Sequence, residues 1–232
     1  MKKNVFPDRE HEMTAGTWRE ELTLASSTMA KFYDRRAKNY DTLVHLLSLG
    51  MDRHYRRIAV QRLQVRPGDR VLDLGCGTGL DLPLLSRKVG PQGAVTGCDL
   101  SKEMLGLARQ RIHQSGLGNI FLIQCHALEL PFAGNSFQAV FCNYLLSTVP
   151  AGPVIEEVFR IARPGAALLF ADDRLPSGWF ASPLRAMGEF FRRGYFNYGL
   201  EGAEILKKRL SSLTVTNHHG GLIFILSGIF RG

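Results

Sequence analysis

The chain has 232 residues, of which 45% are hydrophobic and 22% are charged, a balance that excludes a disordered or fibrous protein. A chain of this length is able to bury a large core as one domain. Its 29 Lys and Arg residues exceed its 21 Asp and Glu residues, which gives a net charge of +8 and favours anionic surfaces or ligands as partners.

The N-terminal part of the chain predicts helices. The first thirty residues show little periodicity before Leu22, so we expect a frayed arm followed by a short helix. From Thr42 to Leu63, apolar residues recur at helical spacing with a break near Gly50. We expect these helices to form a cap that precedes the sheet.

After residue 64 the pattern alternates between strands and helices. Five buried strands are predicted, at Arg70–Leu74, Ala94–Asp99, Ile120–Cys125, Ala139–Asn143 and Ala166–Ala171. The helices predicted between them are Leu80–Lys88, Ser101–Gln114 and Val154–Ala162. A helix near Glu201–Leu210 leads to two closing strands, Leu213–Asn217 and Leu222–Phe230. The pattern predicts an α/β fold with a doubly wound, mostly parallel, seven-stranded sheet.

A glycine-rich turn follows the first predicted strand. Glycines suit such a turn because the backbone bends sharply and approaches a ligand closely at the carboxyl end of a strand. A dinucleotide site requires Gly-x-Gly-x-x-Gly, whereas Gly75, Gly77 and Gly79 are spaced by two. The loop therefore fits a nicotinamide cofactor poorly, and a plain strand-to-helix turn is the simplest alternative.

Two acidic residues bracket this turn. Asp73 precedes the glycines, and Asp99 closes the next strand, where a carboxylate is able to accept hydrogen bonds from both ribose hydroxyls of an adenosine ligand. S-adenosylmethionine carries a sulfonium, an ammonium group and no phosphate, so acidic residues suit it better than phosphate-binding amides.

These stretches resemble the class I S-adenosylmethionine-dependent methyltransferases, with residues 73–79 as their first motif and residues 97–101 as their second. Further motifs at 128–132, 135–140 and 158–165 follow in the family's order. The resemblance implies the Rossmann-like methyltransferase fold and S-adenosylmethionine as the cofactor. It predicts an arm and helical cap at 1–64, and a cofactor-binding catalytic domain at 65–232 in the same structural unit.

The resemblance also implies roles for individual residues. Gly75 and Gly77 would lie under the methionine part, Asp99 would hold the ribose, Met104 would pack on the adenine and Asn143 would border the methyl group. Asp73 would order the loop through backbone hydrogen bonds more than contact the ligand. For Met104, a plain core residue of its helix is the alternative interpretation. The predicted cofactor-binding residues are Tyr40, Asp73, Gly75, Cys76, Gly77, Gly79, Asp99, Leu100, Met104, His126, Ala127 and Asn143.

One position departs from the family pattern, because His126 stands where many relatives have Asp before Ala127. A neutral imidazole would accept a hydrogen bond from the adenine amino group, or the backbone around Ala127 would make that contact. A half-buried histidine at a strand end is the alternative interpretation.

Methyl transfer from a sulfonium depends on positioning more than on acid–base chemistry. The candidates for a catalytic role are Tyr40, Asn143 and Asp172. Tyr33 and Tyr40 lie in the cap and would close over the cofactor, although plain packing explains Tyr33 equally well. Asp172 would orient or deprotonate a substrate, with a solvated turn as the alternative, and the His218–His219 pair requires no ligand to explain it.

Two resemblances concern the methyl acceptor. Residues 32–41 and 47–54 resemble the cap of the ubiquinone/menaquinone biosynthesis C-methyltransferases, whereas residues 143–150 are similar to bacterial phospholipid N-methyltransferases. The implied substrate is a lipophilic small molecule such as a quinone precursor, with a phospholipid amine as the alternative. Arg53, Arg56 and Arg57 share one helical face, which predicts contact with an anionic membrane surface. A face that is only solvated is the alternative. A predicted aromatic helix at 179–193 would contact the same surface.

Other classes are weighed against this interpretation. A non-catalytic S-adenosylmethionine-binding regulatory protein and a nicotinamide oxidoreductase stay open, whereas no nucleic-acid-binding module is recognisable and nucleic acid is not expected as a partner. The four cysteines are isolated, so we expect reduced core thiols, no bound metal and a cytoplasmic location, peripheral to a membrane at most. The sequence leaves the oligomeric state open.

Overall fold

A seven-stranded sheet forms the centre of the protein in the computed structural model, which describes residues 15–173, 201–218 and 223–232. The strands are β1 Arg70–Leu74, β2 Ala94–Asp99, β3 Ile120–Gln124, β4 Phe137–Asn143, β5 Ala162–Asp173, β6 Leu210–His218 and β7 Ile223–Phe230. They lie in the order β3-β2-β1-β4-β5-β7-β6. Neighbours among β1 to β5 are parallel, and β7 runs antiparallel to both β5 and β6, which confirms the predicted sheet.

Six helices accompany the sheet in the described part of the chain. They are α1 Ala15–Leu47, α2 Asp52–Arg62, α3 Leu82–Val89, α4 Lys102–Ser115, α5 Ala151–Ile161 and α6 Glu201–Arg209. The predicted break near Gly50 is confirmed, because Leu49 and Gly50 have left-handed φ values of 51° and 80° between α1 and α2. The prediction of a short N-terminal helix is wrong: α1 runs unbroken for 33 residues and packs on α4. The predicted helix at 179–193 lies outside the described residues.

Both faces of the sheet are buried. Successive residues of a strand point to opposite faces, and in β1 Leu72 packs into the cluster that includes α5 and α6. Its neighbour Val71 packs into the opposite cluster, with side chains of α2, α3 and α4. Because helices cover both faces, the ends of the strands are the part of the sheet left for a ligand.

The strand order places a switch point beside β1. The chain moves from β1 outward to β2 and β3, and then returns to place β4 on the other side of β1. In open α/β sheets, ligands bind at the carboxyl ends of the strands on either side of such a point. Within the described ranges, no helix is both long enough and apolar enough to cross a membrane.

Candidate active site

The loop after β1 contains three glycines in the left-handed region. Gly75, Gly77 and Gly79 have φ values of 73°, 54° and 77°, which other residues adopt only with strain. A Cβ added at Gly77 would meet no protein atom, whereas one at Gly79 would lie 2.9 Å from the Cβ of Ala108 in α4. Gly77 therefore leaves space for a ligand, and Gly79 allows the loop to pack closely on α4.

Asp99, at the end of β2, holds this loop in place. Its Oδ2 accepts a hydrogen bond from the Gly77 backbone N–H at 2.8 Å, and its Oδ1 accepts one from the Ser101 N–H at 2.9 Å. Burial raises the pKa of Asp99, while these backbone donors act in the opposite direction. A carboxylate has about four acceptor positions, and Leu100 is a third backbone donor here, so acceptor capacity is left for a ribose hydroxyl.

A single cleft connects these groups to the cap. It encloses about 1170 Å³ when the open space at its mouth is included. All the predicted cofactor-binding residues line it except Asp73 and Gly79. The residues that line it without having been predicted as cofactor contacts are Met29, Ala30, Tyr33, Arg56, Leu74, Thr78, Leu80, Cys98, Ser101, Cys125, Tyr144, Leu145, Thr148, Val149 and Pro150.

Asp73 lies beneath the loop and is 1% exposed. Its Oδ2 is buried and has no hydrogen-bond partner among the described residues, and the role of Asp73 in ordering the glycine turn stays a prediction. Burial raises the pKa of Asp73 strongly, and the nearby carboxylates of Asp81 and Asp99 raise it further. Such a group favours a cation in its neighbourhood.

The residues of the cleft fit S-adenosylmethionine. Asp99 lines the cleft with acceptor capacity for a ribose hydroxyl, and the buried carboxylate of Asp73 beneath the loop favours positive charge nearby. The open space over Gly77 admits a ligand close to the backbone. When bound, this cofactor supplies a methyl group on a sulfonium, which is a good leaving group.

His126 has a defined tautomer in the neutral state. Its Nδ1 accepts a hydrogen bond of 3.1 Å from the Leu128 N–H, and burial lowers the pKa of the ring. The proton of the neutral ring is therefore on Nε2, which makes that atom a donor. The expectation that the neutral ring accepts from the adenine amino group is not compatible with this arrangement, whereas a contact through the backbone of Ala127 stays a prediction.

Helix α1 forms one wall of the cleft and is fastened to the opposite side. Tyr33 and Tyr40 line the cleft and meet edge to face at 5.8 Å. The residue after each tyrosine is an aspartate that accepts a hydrogen bond from a residue outside α1 that also lines the cleft. Asp34 accepts from Ser101 Oγ at 2.5 Å, and Asp41 accepts from Thr78 Oγ1 at 2.6 Å.

This fastening was missed from the sequence, although a signal was present. Tyr-Asp occurs twice with a spacing of seven, at 33–34 and at 40–41, and residues seven apart lie on one face of a helix. A second partner of Asp41 is Arg111 in α4, whose Nη2 donates to Asp41 Oδ2 at 2.8 Å. We call α1 with these contacts the lid.

A buried ion pair lies at the end of β4. Arg56 Nη1 is 2.5 Å from Asp81 Oδ2, and Asn143 Nδ2 donates to the same oxygen at 3.0 Å. Arg56 was predicted to belong to an exposed basic face, and this is wrong, because its side chain is only 11% exposed. Arg53 and Arg57 are exposed as predicted. Next to Asn143, Tyr144 has a φ of 59°, a conformation that is uncommon for a residue other than glycine.

Asp172 does not line the cleft. It is 2% exposed, and its Oδ2 accepts a hydrogen bond of 2.8 Å from the Ser147 N–H. The solvated turn predicted here is wrong, because β5 continues to Asp173 and pairs with Ile223 of β7. His218 ends β6 opposite Ile223, while His219 lies outside the described residues.

The cysteines are free thiols, and Cys76, Cys98 and Cys142 are buried. The predicted core role is confirmed for Cys76, Cys98 and Cys142, which belong to the buried clusters, and Cys125 packs against one of them. Cys76, Cys98 and Cys125 also line the cleft. Burial raises the pKa of Cys76, so this thiol stays protonated and acts as a small apolar group.

The fold and this site define an S-adenosylmethionine-dependent methyltransferase. The chain belongs to the ubiE/COQ5 methyltransferase family, whose model matches residues 22–174. It is 33% identical over 223 residues to the ubiquinone/menaquinone biosynthesis C-methyltransferase UbiE of Desulfotalea psychrophila, across 92% of this chain and 85% of that protein. It is 32% identical over 178 residues to the demethylmenaquinone methyltransferase of Listeria welshimeri, across 72% of this chain and 75% of that protein.

Solved structures agree on the fold. A SAM-dependent methyltransferase from Aquifex aeolicus superimposes with a TM-score of 0.59 at 22% sequence identity. The match covers 75% of this chain and 89% of that one, and at this identity it concerns the fold alone.

Proposed function

We propose that this enzyme transfers the methyl group of S-adenosylmethionine to a ring carbon of a lipophilic quinone precursor. The observation that carries the proposal is the kinship with relatives named for demethylmenaquinone and for ubiquinone/menaquinone biosynthesis. The cleft supports it, because much of its lining is apolar. The apolar lining residues include Met29, Ala30, Leu145, Val149 and Pro150.

The residues of the cleft act mainly by position. Asp99 and the glycine loop would hold the cofactor, and Asn143, which donates a hydrogen bond to Asp81, would border the methyl group. A quinol carbon becomes nucleophilic when a ring hydroxyl is ionised, so the site has to bind a phenolate and exclude water. The lid serves the second requirement, since Tyr33 and Tyr40 line the cleft from above the loop.

We also infer that residues 1–64 act as an arm and cap over a catalytic domain at 65–232. The support for this division is that α1 and α2 contribute Tyr33, Tyr40 and Arg56 to the cleft without contributing a strand to the sheet.

We propose that the enzyme is cytoplasmic and contacts an anionic membrane surface. Leu46, in the last turn of α1, and Leu49, in the turn that follows, are 65% and 86% exposed, and the exposed Arg53 and Arg57 follow in α2. Apolar side chains beside cations suit the surface of an anionic bilayer. Flotation with phosphatidylglycerol vesicles tests this: L46S/L49S should reduce binding, whereas F121S, at an exposed apolar site in β3, should not.

The reaction is tested with methyl-labelled S-adenosylmethionine and purified enzyme. The acceptors are a chemically reduced demethylmenaquinone, phosphatidylethanolamine and no lipid, and D99A serves as the inactive control. We expect the quinol alone to gain one methyl group on carbon, as read by mass spectrometry. Transfer to the phospholipid amine would overturn the proposed acceptor, and cofactor binding without any transfer would indicate a regulatory protein.

A further inference from the structure

A buried guanidinium faces the cleft and is not fully paired. Arg56 lines the cleft, and its Nη1 pairs with Asp81. Its Nε, by contrast, is buried and has no hydrogen-bond partner among the described residues. We propose that Arg56 binds an oxyanion of a ligand in this cleft, either the amino-acid carboxylate of the cofactor or the ionised ring oxygen of the methyl acceptor.

The first step is the cost of the unpaired donor. A buried N–H without an acceptor is unfavourable, and a charged donor more so. The Nε itself has no accessible surface, but Arg56 lines the cleft, and its planar guanidinium has terminal donors left over after a single bond to Asp81. The pKa of Arg56 is raised, mainly by the charge of Asp81 acting against the effect of burial, so the cation is present at every working pH.

The second step is the charge around the cleft. Asp73, Asp81 and Asp99 are all buried carboxylates or nearly so, and Arg56 acts on Asp73 as the neighbouring cation. The carboxylates suit positive groups of a ligand. Arg56 is the cation among these groups, and it is therefore the place where a negative ligand atom is best accommodated.

The third step is position. Arg56 is joined through Asp81 to Asn143 at the end of β4, and its guanidinium carbon lies 5.4 Å from the centre of the Tyr144 ring. Arg56 therefore lies beside the switch point, between the residues that follow β1 and those that follow β4. The oxyanion of the acceptor rests on the proposed function, and the carboxylate of the cofactor does not.

The test compares two variants with the charge of Asp81 removed from both. R56M alone would leave the buried Asp81 carboxylate without its cation and destabilise the fold, so D81N is compared with R56M/D81N. R57M, at the exposed neighbour, is the control. Calorimetry measures binding of S-adenosylhomocysteine, which has the carboxylate, and of 5′-methylthioadenosine, which lacks the amino-acid part.

Each outcome decides the inference. A loss of about tenfold or more in S-adenosylhomocysteine affinity, with methylthioadenosine affinity unchanged, would assign Arg56 to the cofactor carboxylate. Unchanged affinity for both nucleosides with a rise of about tenfold in the KM for the quinol, at unchanged kcat, would assign it to the acceptor. An equal loss for both nucleosides would overturn the inference. So would unchanged nucleoside affinity without a rise in KM, including the case in which wild type does not methylate the quinol.

Failure of the proposed function is recognised separately, because it appears in wild-type enzyme as absence of methylated quinol. The nucleoside measurements do not depend on the acceptor and still decide the cofactor source.

Discussion

The carboxylate of Asp41 in α1 accepts a hydrogen bond of 2.6 Å from the hydroxyl of Thr78 in the loop after β1. One residue belongs to the lid and the other to the glycine loop, so the bond closes the cleft along one side. Arg111 in α4 shares the same carboxylate at 2.8 Å, which ties the lid to two separate elements of the cofactor site.

Removing this carboxylate should loosen the lid. In D41A the bonds to Thr78 and Arg111 are lost, and we expect S-adenosylhomocysteine to dissociate about five- to tenfold faster. The free energy of unfolding should change by no more than about 1 kcal/mol, because the Asp41–Arg111 pair is about one-third exposed. Stopped-flow dissociation and hydrogen exchange across α1 measure both effects. E156A, an exposed site on α5, is the control, and an unchanged dissociation rate would exclude the lid function.

Neutralising Asp73 should stabilise the protein. Burial raises the pKa of this carboxyl above its ordinary value of 3.8, so the unfolded chain ionises first and the wild type loses stability as the pH rises above that value. D73N removes this penalty. Its melting temperature should exceed that of wild type at neutral pH, by about 2–4 °C for each kcal/mol gained, and the difference should shrink as the pH falls toward 3.8. Calorimetric melts with E156Q as the matched control test the sign.

The same substitution should weaken cofactor binding. S-adenosylmethionine carries a positive charge at sulfur that S-adenosylhomocysteine lacks, so loss of the Asp73 charge should affect the former more. We expect the ratio of the two affinities to change by about tenfold in D73N, measured by calorimetry. Equal losses for both ligands would show that Asp73 acts on the loop and not on the charge of the cofactor.

Substituting alanine at two glycines should change the free energy of unfolding in opposite directions. At Gly79 a Cβ would lie 2.9 Å from Ala108 Cβ and 3.1 Å from its Cα, with φ at 77°, so G79A should destabilise the fold by about 1–3 kcal/mol or more. At Gly106 in α4 a Cβ would meet no atom, and G106A should stabilise it by about 0.5–1 kcal/mol. Urea denaturation measures both, and similar effects at the two sites would contradict the packing role of Gly79.

His126 should make stability dependent on pH. Burial lowers its pKa below 6.5, so the unfolded chain takes up a proton first and folded stability decreases as the pH falls below that value. Protonation of Nδ1 would also remove the acceptor of the Leu128 N–H. At about pH 7.5 the melting temperatures of H126Q and wild type should therefore be similar. At about pH 5.5 H126Q should have the higher melting temperature. H113Q, on the exposed last turn of α4, should show no such crossover.

Much of the sheet and of the cofactor side was predictable because those features are local in sequence. The bounds of β1 and β2 match the apolar runs, and the glycines and Asp99 stand where these strands end. Arg56 was not predictable, since three arginines on one helical face look equally exposed until packing buries one of them. Asp172 was missed for a related reason: β5 is lengthened by pairing with β7, which lies about fifty residues further along the chain.

The strand order also has a consequence for synthesis of the protein. Strand β1 gains its neighbour β4 only when residue 143 has been made, and the wall of the cleft continues to Pro150. Until then the central strand is an open edge that other chains are able to pair with. A ribosome-bound chain shorter than this therefore has no complete pocket, so binding of the cofactor is able to stabilise the protein only after residue 150 has been made.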